Sequence, residues 1–134
     1  MLHEPISYAS RLAGLSAAIS LHAAARDRDG GFPVEAFDEL FARGLVGEPP
    51  LQFEQAGELL HLLSAVGRGD LSTGRIYEGH VNTLFLIDRF GTPEQREIAF
   101  RKASEGAVFG VWNTDHYSNP LVLEGDVLKG SKSF

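Results

Sequence analysis

Residues 70–95 read DLSTGRIYEGHVNTLFLIDRFGTPEQ, and the fold class follows from this stretch. Its apolar residues Ile76, Tyr77, Val81, Leu84, Ile87 and Phe90 recur at helical steps and cover a broad sector. That is the pattern of a central helix packed against two neighbours rather than one. Asp70 stands where an N-cap is needed, and Gly91 where a helix stops. Thr92-Pro93-Glu94-Gln95 then supplies a threonine cap, a proline in the first turn and a glutamine three residues after the cap, the parts of a capping box. The spacing predicts a helix from Leu71 to Phe90 and another reaching Ala103.

Upstream, Ala56, Leu59, Leu60, Leu63 and Val66 keep the same period, and Gly67-Arg68-Gly69 predicts a break before the next helix. Pro33 suits the first position of a helix whose apolar face is Val34, Phe37, Leu40 and Phe41 and which Gly44 ends. Glu48-Pro49-Pro50 is a connector. From Ile6 to Ala25, Leu12, Leu15, Ile19 and Ala23 fall at three- and four-residue steps among alanines, predicting one helix closed by Asp29-Gly30-Gly31.

Downstream of Gly106 the pattern changes. Ala107 to Trp112 is short, aromatic and β-branched, and Leu121 to Glu124 and Val127 to Lys129 flank the turn residues Gly125-Asp126, so these read as strands. The expected fold class is mainly α, a bundle of about five helices followed by the first two or three strands of an incomplete β-domain. The division falls into a helical domain over 1–105 and the beginning of a β-domain over 106–134. Gly130 to Phe134 starts what reads as another strand and then stops, so a missing C-terminal part or a longer partner chain is expected to complete the sheet.

Composition narrows the function classes. The chain has 134 residues, 43% hydrophobic, enough for one core, and no cysteine, which excludes disulfides and thiolate metal sites. A formal charge of −6 with both signs interspersed argues against a nucleic-acid partner. No run approaches the roughly 18 to 20 apolar residues of a membrane span, and no basic leader precedes an apolar core, so a soluble, cytoplasmic protein is expected.

Several constellations carry little chemistry. The histidines at 3, 22, 61, 80 and 116 include no pair at metal-ligand spacing, so no metal is expected. Gly67-Arg68-Gly69-Asp70 lies between helices rather than after a strand and is a helix boundary, not a dinucleotide fingerprint. No serine sits in a Gly-x-Ser-x-Gly elbow. Asp27 and Asp29, beside Arg26 and Arg28, read as a solvated turn.

The helix over 71–90 is more informative. Arg75, Glu78, Asn82 and Arg89 form one polar stripe. Gly74 and Gly79 each cost roughly 0.8–1 kcal/mol relative to alanine inside a helix, so something is expected to approach closely. From spacing alone a neighbouring helix is favoured over a ligand in a groove. Phe109 to Asp115 brings an apolar segment out into a polar loop, which is either an ordinary strand end or a cofactor contact.

Taken in order, Arg26-Asp27-Arg28-Asp29-Gly30-Gly31-Phe32-Pro33, Gly67-Arg68-Gly69-Asp70-Leu71-Ser72, Glu78-Gly79-His80 and Phe90-Gly91-Thr92-Pro93-Glu94-Gln95-Arg96 resemble the amino-terminal helical domain of the acyl-CoA dehydrogenase family. Phe109 to Asp115 falls at that family's first β-strand, and Leu128-Lys129-Gly130-Ser131-Lys132 resembles its leucine-asparagine-glycine-x-lysine turn. The resemblance spans essentially the whole chain and implies the first third of an FAD-dependent oxidoreductase, a flavoprotein that removes hydrogen from the α and β carbons of an acyl-CoA thioester. The base in the family is a glutamate on a later bundle, so no catalytic residue is assigned in this chain.

The family's flavin-side strand end corresponds to Trp112, Asn113 and Thr114, with Leu-Thr-Glu-Pro replaced by Trp112-Asn113-Thr114-Asp115. The acyl groove corresponds to Gly74, Arg75, Glu78 and Asn82. The polar groove suits a substrate other than a simple fatty acyl chain. The changed loop leaves open a flavin-dependent monooxygenase of the same fold. A non-catalytic helical subunit paired with a longer chain is the third reading. Assembly as a homo- or hetero-oligomer is implied.

Overall fold

The computed structural model describes residues 7–133. They form a mainly helical body with a small antiparallel two-stranded sheet near the C-terminus.

The helix predicted from Ile6 to Ala25 is broken into α1 (Tyr8–Leu12), α2 (Leu15–Ser20) and α3 (Ala23–Asp29), Ile6 itself lying outside the described residues. The break between α1 and α2 has a tertiary cause. The guanidinium of Arg43 donates to the carbonyls of Arg11 at 2.8 Å and Ala13 at 2.7 Å, satisfying acceptors that a continuous helix would use internally. Gly14, at φ +68°, turns the chain between α1 and α2. Gly30 closes α3 where the Asp29-Gly30-Gly31 signal puts it.

Next comes α4 (Val34–Ala42), with Pro33 in the cap position rather than inside the first turn. Its buried residues are Ala36, Phe37 and Leu40, whereas Val34 and Phe41, expected on the apolar face, are exposed. Arg43 follows as C-cap, and Leu45 and Val46 are then fully withdrawn from solvent.

A single 3-10 turn at Phe53–Gln55 leads into α5 (Ala56–Gly69), which buries Leu62, Ala65, Val66 and Gly69. Leu60 is 66% exposed and lies off that face. The predicted break at Gly67-Arg68-Gly69 is absent, because the helix runs through both glycines and ends at the extended Asp70. Gly69 serves close packing instead. A Cβ at Gly69 would lie 2.8 Å from both Ile19 Cβ and the Ser16 carbonyl of α2. Ser16 Oγ reinforces the same contact by donating to the Ala65 carbonyl at 2.7 Å.

The remaining helices, α6 (Leu71–Phe90) and α7 (Pro93–Ser104), match the sequence reading closely. Asp70 caps α6 by accepting from the Thr73 backbone N–H at 2.8 Å and the Thr73 hydroxyl at 2.5 Å. Thr92 and Gln95 form the expected reciprocal capping box on α7.

The main core is one cluster that includes Leu15, Ile19, Phe37, Leu40, Leu45, Leu62, Val66, Tyr77 and Val81. A smaller cluster of Leu84, Ala99 and Ala103 joins α6 to α7. Besides Thr73, which bonds Asp70, two polar groups of α6 lie within this apolar body and are satisfied there. The Tyr77 hydroxyl donates to the Leu45 carbonyl at 2.5 Å, and burial pushes its pKa up. His80 Nε2 bonds the Val46 carbonyl at 2.8 Å.

Ala107 to Trp112, predicted as a strand, pairs with no strand among the described residues. Its Val108 and Phe109 pack on the two helical clusters instead, so burial against helices takes the place of a sheet. The hairpin is β1 (Val122–Glu124) paired with β2 (Val127–Lys129), with Leu123 opposite Leu128 and Gly125 at φ +62° in the two-residue turn. The run after Gly130 forms only an isolated bridge, Asp115 with Lys132, closed by a 2.6 Å ion pair.

Two glycines of α5 are expected to respond oppositely to alanine. Nothing lies within 4 Å of a Cβ at Gly67, so Gly67→Ala gains helix propensity and stabilises by up to about 1 kcal/mol. Gly69→Ala drives a methyl into α2 and destabilises by about 1–3 kcal/mol. Urea unfolding of the two variants measures both.

Asp70 gives a pH signature. Partial burial raises its pKa, but the bonds from Thr73 and the Ser72 amide outweigh this and hold the carboxyl below its ordinary 3.8. Its contribution is full above that value and is lost as pH falls through the lower folded value. Asp70→Ala is expected to cost about 1 kcal/mol at neutral pH and to remove that part of the acid slope, read by urea midpoints across the acid range.

Candidate functional site

The site begins with the turn that ends α7. Gly106, at φ +95°, donates to the Ala103 carbonyl at 2.9 Å, and Ala107 donates to the Lys102 carbonyl at 2.9 Å. This closure reverses the chain and sends residues 108–113 back along α6. Phe109 is held there by its backbone N–H, which donates to His80 Nδ1 at 3.1 Å. Its ring stacks on the imidazole with centroids 6.0 Å apart.

Between α6 and this segment lies a cleft of about 260 Å³. Arg75, Ile76, Glu78, Gly79 and Asn82 line one side, and Phe109 to Asn113 the other. Gly79 faces the returning segment, where a Cβ would stand in ordinary van der Waals contact, 4.0 Å from the Val111 backbone nitrogen. Across the cleft, Trp112 is 59% exposed.

The electrostatics are close to neutral. Arg75 pairs with Glu78 one turn along α6, an exposed ion pair worth only a few tenths of a kcal/mol. It leaves the half-buried Asn82 and the exposed Asn113 as uncharged amide groups of the cleft. Among the described residues, no group of three or more histidine or acidic side chains is arranged to hold a metal.

Most of the residues singled out from the sequence converge here. Arg75, Glu78 and Asn82 come together with Trp112 and Asn113 around one cleft. Two do not join them. Gly74 faces α5, where a Cβ would lie 3.0 Å from the Gly67 Cα, so the helix-packing alternative is the one realised at that position. Thr114 is not part of the lining, and its carbonyl instead accepts from the Ser133 N–H at 2.9 Å.

No family model, curated protein or solved structure matches the chain. The resemblance to acyl-CoA dehydrogenases is carried by the motifs of the chain alone.

His80 was not among the predicted site residues, and its place is the most constrained of all. It is 0% exposed, and both ring nitrogens are used. With Nδ1 accepting from Phe109, the ring is the neutral tautomer whose Nε2–H donates to Val46. The available signal was a histidine three residues after Tyr77 on the buried side of an apolar helix.

Burial lowers the His80 pKa below its ordinary 6.5, with the Val46 carbonyl opposing. The folded state therefore binds its proton later than the unfolded chain on acidification. The contribution is present above 6.5 and is lost as pH falls through the lower folded value. Stability to urea is expected to decline below that ordinary value, and His80→Gln is expected to remove this component of the decline while lowering stability at neutral pH.

Proposed function

We propose that the chain supplies the helical wall of a flavin-dependent oxidoreductase of acyl-CoA dehydrogenase type, with the cleft between α6 and Phe109–Asn113 as its ligand site. The observation that carries this reading is the convergence of Arg75, Glu78 and Asn82 with Trp112 and Asn113. The family resemblance assigned the first three to an acyl groove and the last two to a flavin edge. They lie far apart in sequence.

The residues present suit one part of FAD better than another. The backbone of 110–113 is paired with no strand among the described residues, and with the amides of Asn82 and Asn113 it offers donors and acceptors for the carbonyl and N–H edge of an isoalloxazine ring. Trp112 offers an aromatic surface. The diphosphate has no comparable support, since Arg75, the only cation lining the cleft among the described residues, is already paired with Glu78.

A bound flavin would supply hydride-accepting chemistry, and Asn82, Trp112 and Asn113 are the residues that would hold its ring. The residues of this chain orient the thioester and exclude water from one side of it. Glu78 is held by Arg75 and is given no role as base, so the chain by itself is expected to bind without turning over.

One observation favours a second reading, in which the chain is a helical subunit paired with a longer flavoprotein chain. An apolar groove of about 470 Å³ runs between α6 and α7 past Leu86, Ile87, Phe90 and Ile98, and Phe90 is 78% exposed. Apolar surface of this kind marks interaction sites.

Calorimetric titration with FAD, and separately with an acyl-CoA, tests the first reading. Binding tighter than about 1 mM is expected, and Gly79→Leu, which fills the cleft, is expected to weaken it at least about tenfold. Binding that is unaffected by Gly79→Leu, or no binding of either ligand, removes the cleft as the site. Flavin uptake only in the presence of a second flavoprotein chain favours the second reading.

A further inference from the structure

We propose that His80 is a proton-operated latch that positions the Phe109–Asn113 wall of the cleft, closing it when the imidazole is neutral and releasing it when the ring is protonated. The inference concerns the attachment of the wall and stands whether or not the cleft binds a flavin.

The two bonds of His80 respond differently to a proton. Nε2–H donates to the Val46 carbonyl in both charge states, so the core side of the ring is indifferent to titration. Nδ1 is an acceptor only while the ring is neutral. Protonation there sets an N–H against the Phe109 N–H across 3.1 Å, replacing an attraction with two opposed donors. It also creates a charge at a site with no exposure. Lifting the 108–113 segment relieves both, since water then reaches the imidazolium from the cleft side.

The surroundings assign the titration to this ring. Tyr77 is the ionisable group packed against it, with ring centroids 6.0 Å apart, and its hydroxyl is bonded to Leu45. Glu48, beyond the Val46 turn, pairs with Arg11, and Glu78 on α6 pairs with Arg75. His61 on α5 and Lys102 on α7 are exposed, and residues 107–113 contain no ionisable side chain. The buried faces that α5 and α7 turn inward are Leu62, Ala65, Val66, Ala99 and Ala103, all apolar. Among the described residues, no compensating carboxylate stands against the ring.

The segment is tied to α6 by the hydrogen bond from the Phe109 N–H to His80. Val108 and Phe109 add partly buried apolar contacts. The helical body keeps its own core when this segment lifts.

Trp112 is the sole tryptophan of the chain and sits in the wall, so its fluorescence reports the wall directly. The experiment follows Trp112 emission, the hydrogen-exchange protection of the Phe109 amide and the His80 imidazole resonances from about pH 7.5 to about pH 5, with far-UV circular dichroism monitoring the helices. Expected is a loss of Phe109 protection of at least about tenfold, together with a red shift of Trp112 emission, both tracking the His80 imidazole while the helical signal persists. His80→Gln is expected to abolish the pH response. His116→Gln is expected to keep it, although His116 lies only four positions from Trp112. The latch is overturned if Phe109 protection is unchanged while His80 protonates, if the response follows His116, or if His80 stays neutral until the helices melt. Should His80→Gln fail to fold, the amide and imidazole measurements on the native sequence still decide. Ligand affinity plays no part in this test, so its failure is distinct from failure of the cleft as a flavin site.

Discussion

Tyr77 and His80, three residues apart on α6, hydrogen-bond the consecutive carbonyls of Leu45 and Val46. Both side chains and both acceptor residues are removed from solvent, and an unmet buried carbonyl would cost about 1–3 kcal/mol. This pairing fixes the rotation of α6 about its own axis. With Tyr77 and His80 turned inward, helical geometry leaves Arg75, Glu78 and Asn82 on the side where the returning chain passes. The same turn presses α7 from its other end, since a Cβ at Gly47 would lie 2.9 Å from the Ser104 Cα. One short connection thereby joins α4, α6 and α7.

The parts of the fold legible in the sequence are those with local causes. α6 and α7 begin and end where their caps say, because Asp70, Thr92 and Gln95 act within three residues of their partners. The break between α1 and α2 was not legible, because Arg43, which takes the carbonyls of Arg11 and Ala13, lies some thirty residues downstream. Gly67 and Gly69 look like breakers until α2 and α6 are seen against them. In Ala107 to Trp112 the β-like composition was real, but its apolar side chains found helices rather than a strand.

The site divides along the same line. Arg75, Glu78 and Asn82 share a helical face, which spacing reveals, whereas their meeting with Trp112 and Asn113 depends on the closure at Gly106. Gly74 and Gly79 are indistinguishable as residues, and only what stands opposite separates them, a helix for one and the cleft wall for the other. His80 was hidden for a different reason. Its partners are backbone groups of Val46 and Phe109, and backbone groups leave no trace in side-chain pattern.

The two helical clusters differ in size, and that asymmetry governs how the molecule comes apart. α7 buries two alanines, little apolar surface beside Leu62, Val66, Tyr77 and Val81, which α5 and α6 bring to the main cluster. Its docking therefore buries less apolar surface than that of α5 or α6, and segments with few buried apolar contacts open locally at lower free energy than the core. Because Phe109 rests on the same small cluster, the floor beneath the cleft and the docking of α7 share one patch of apolar support.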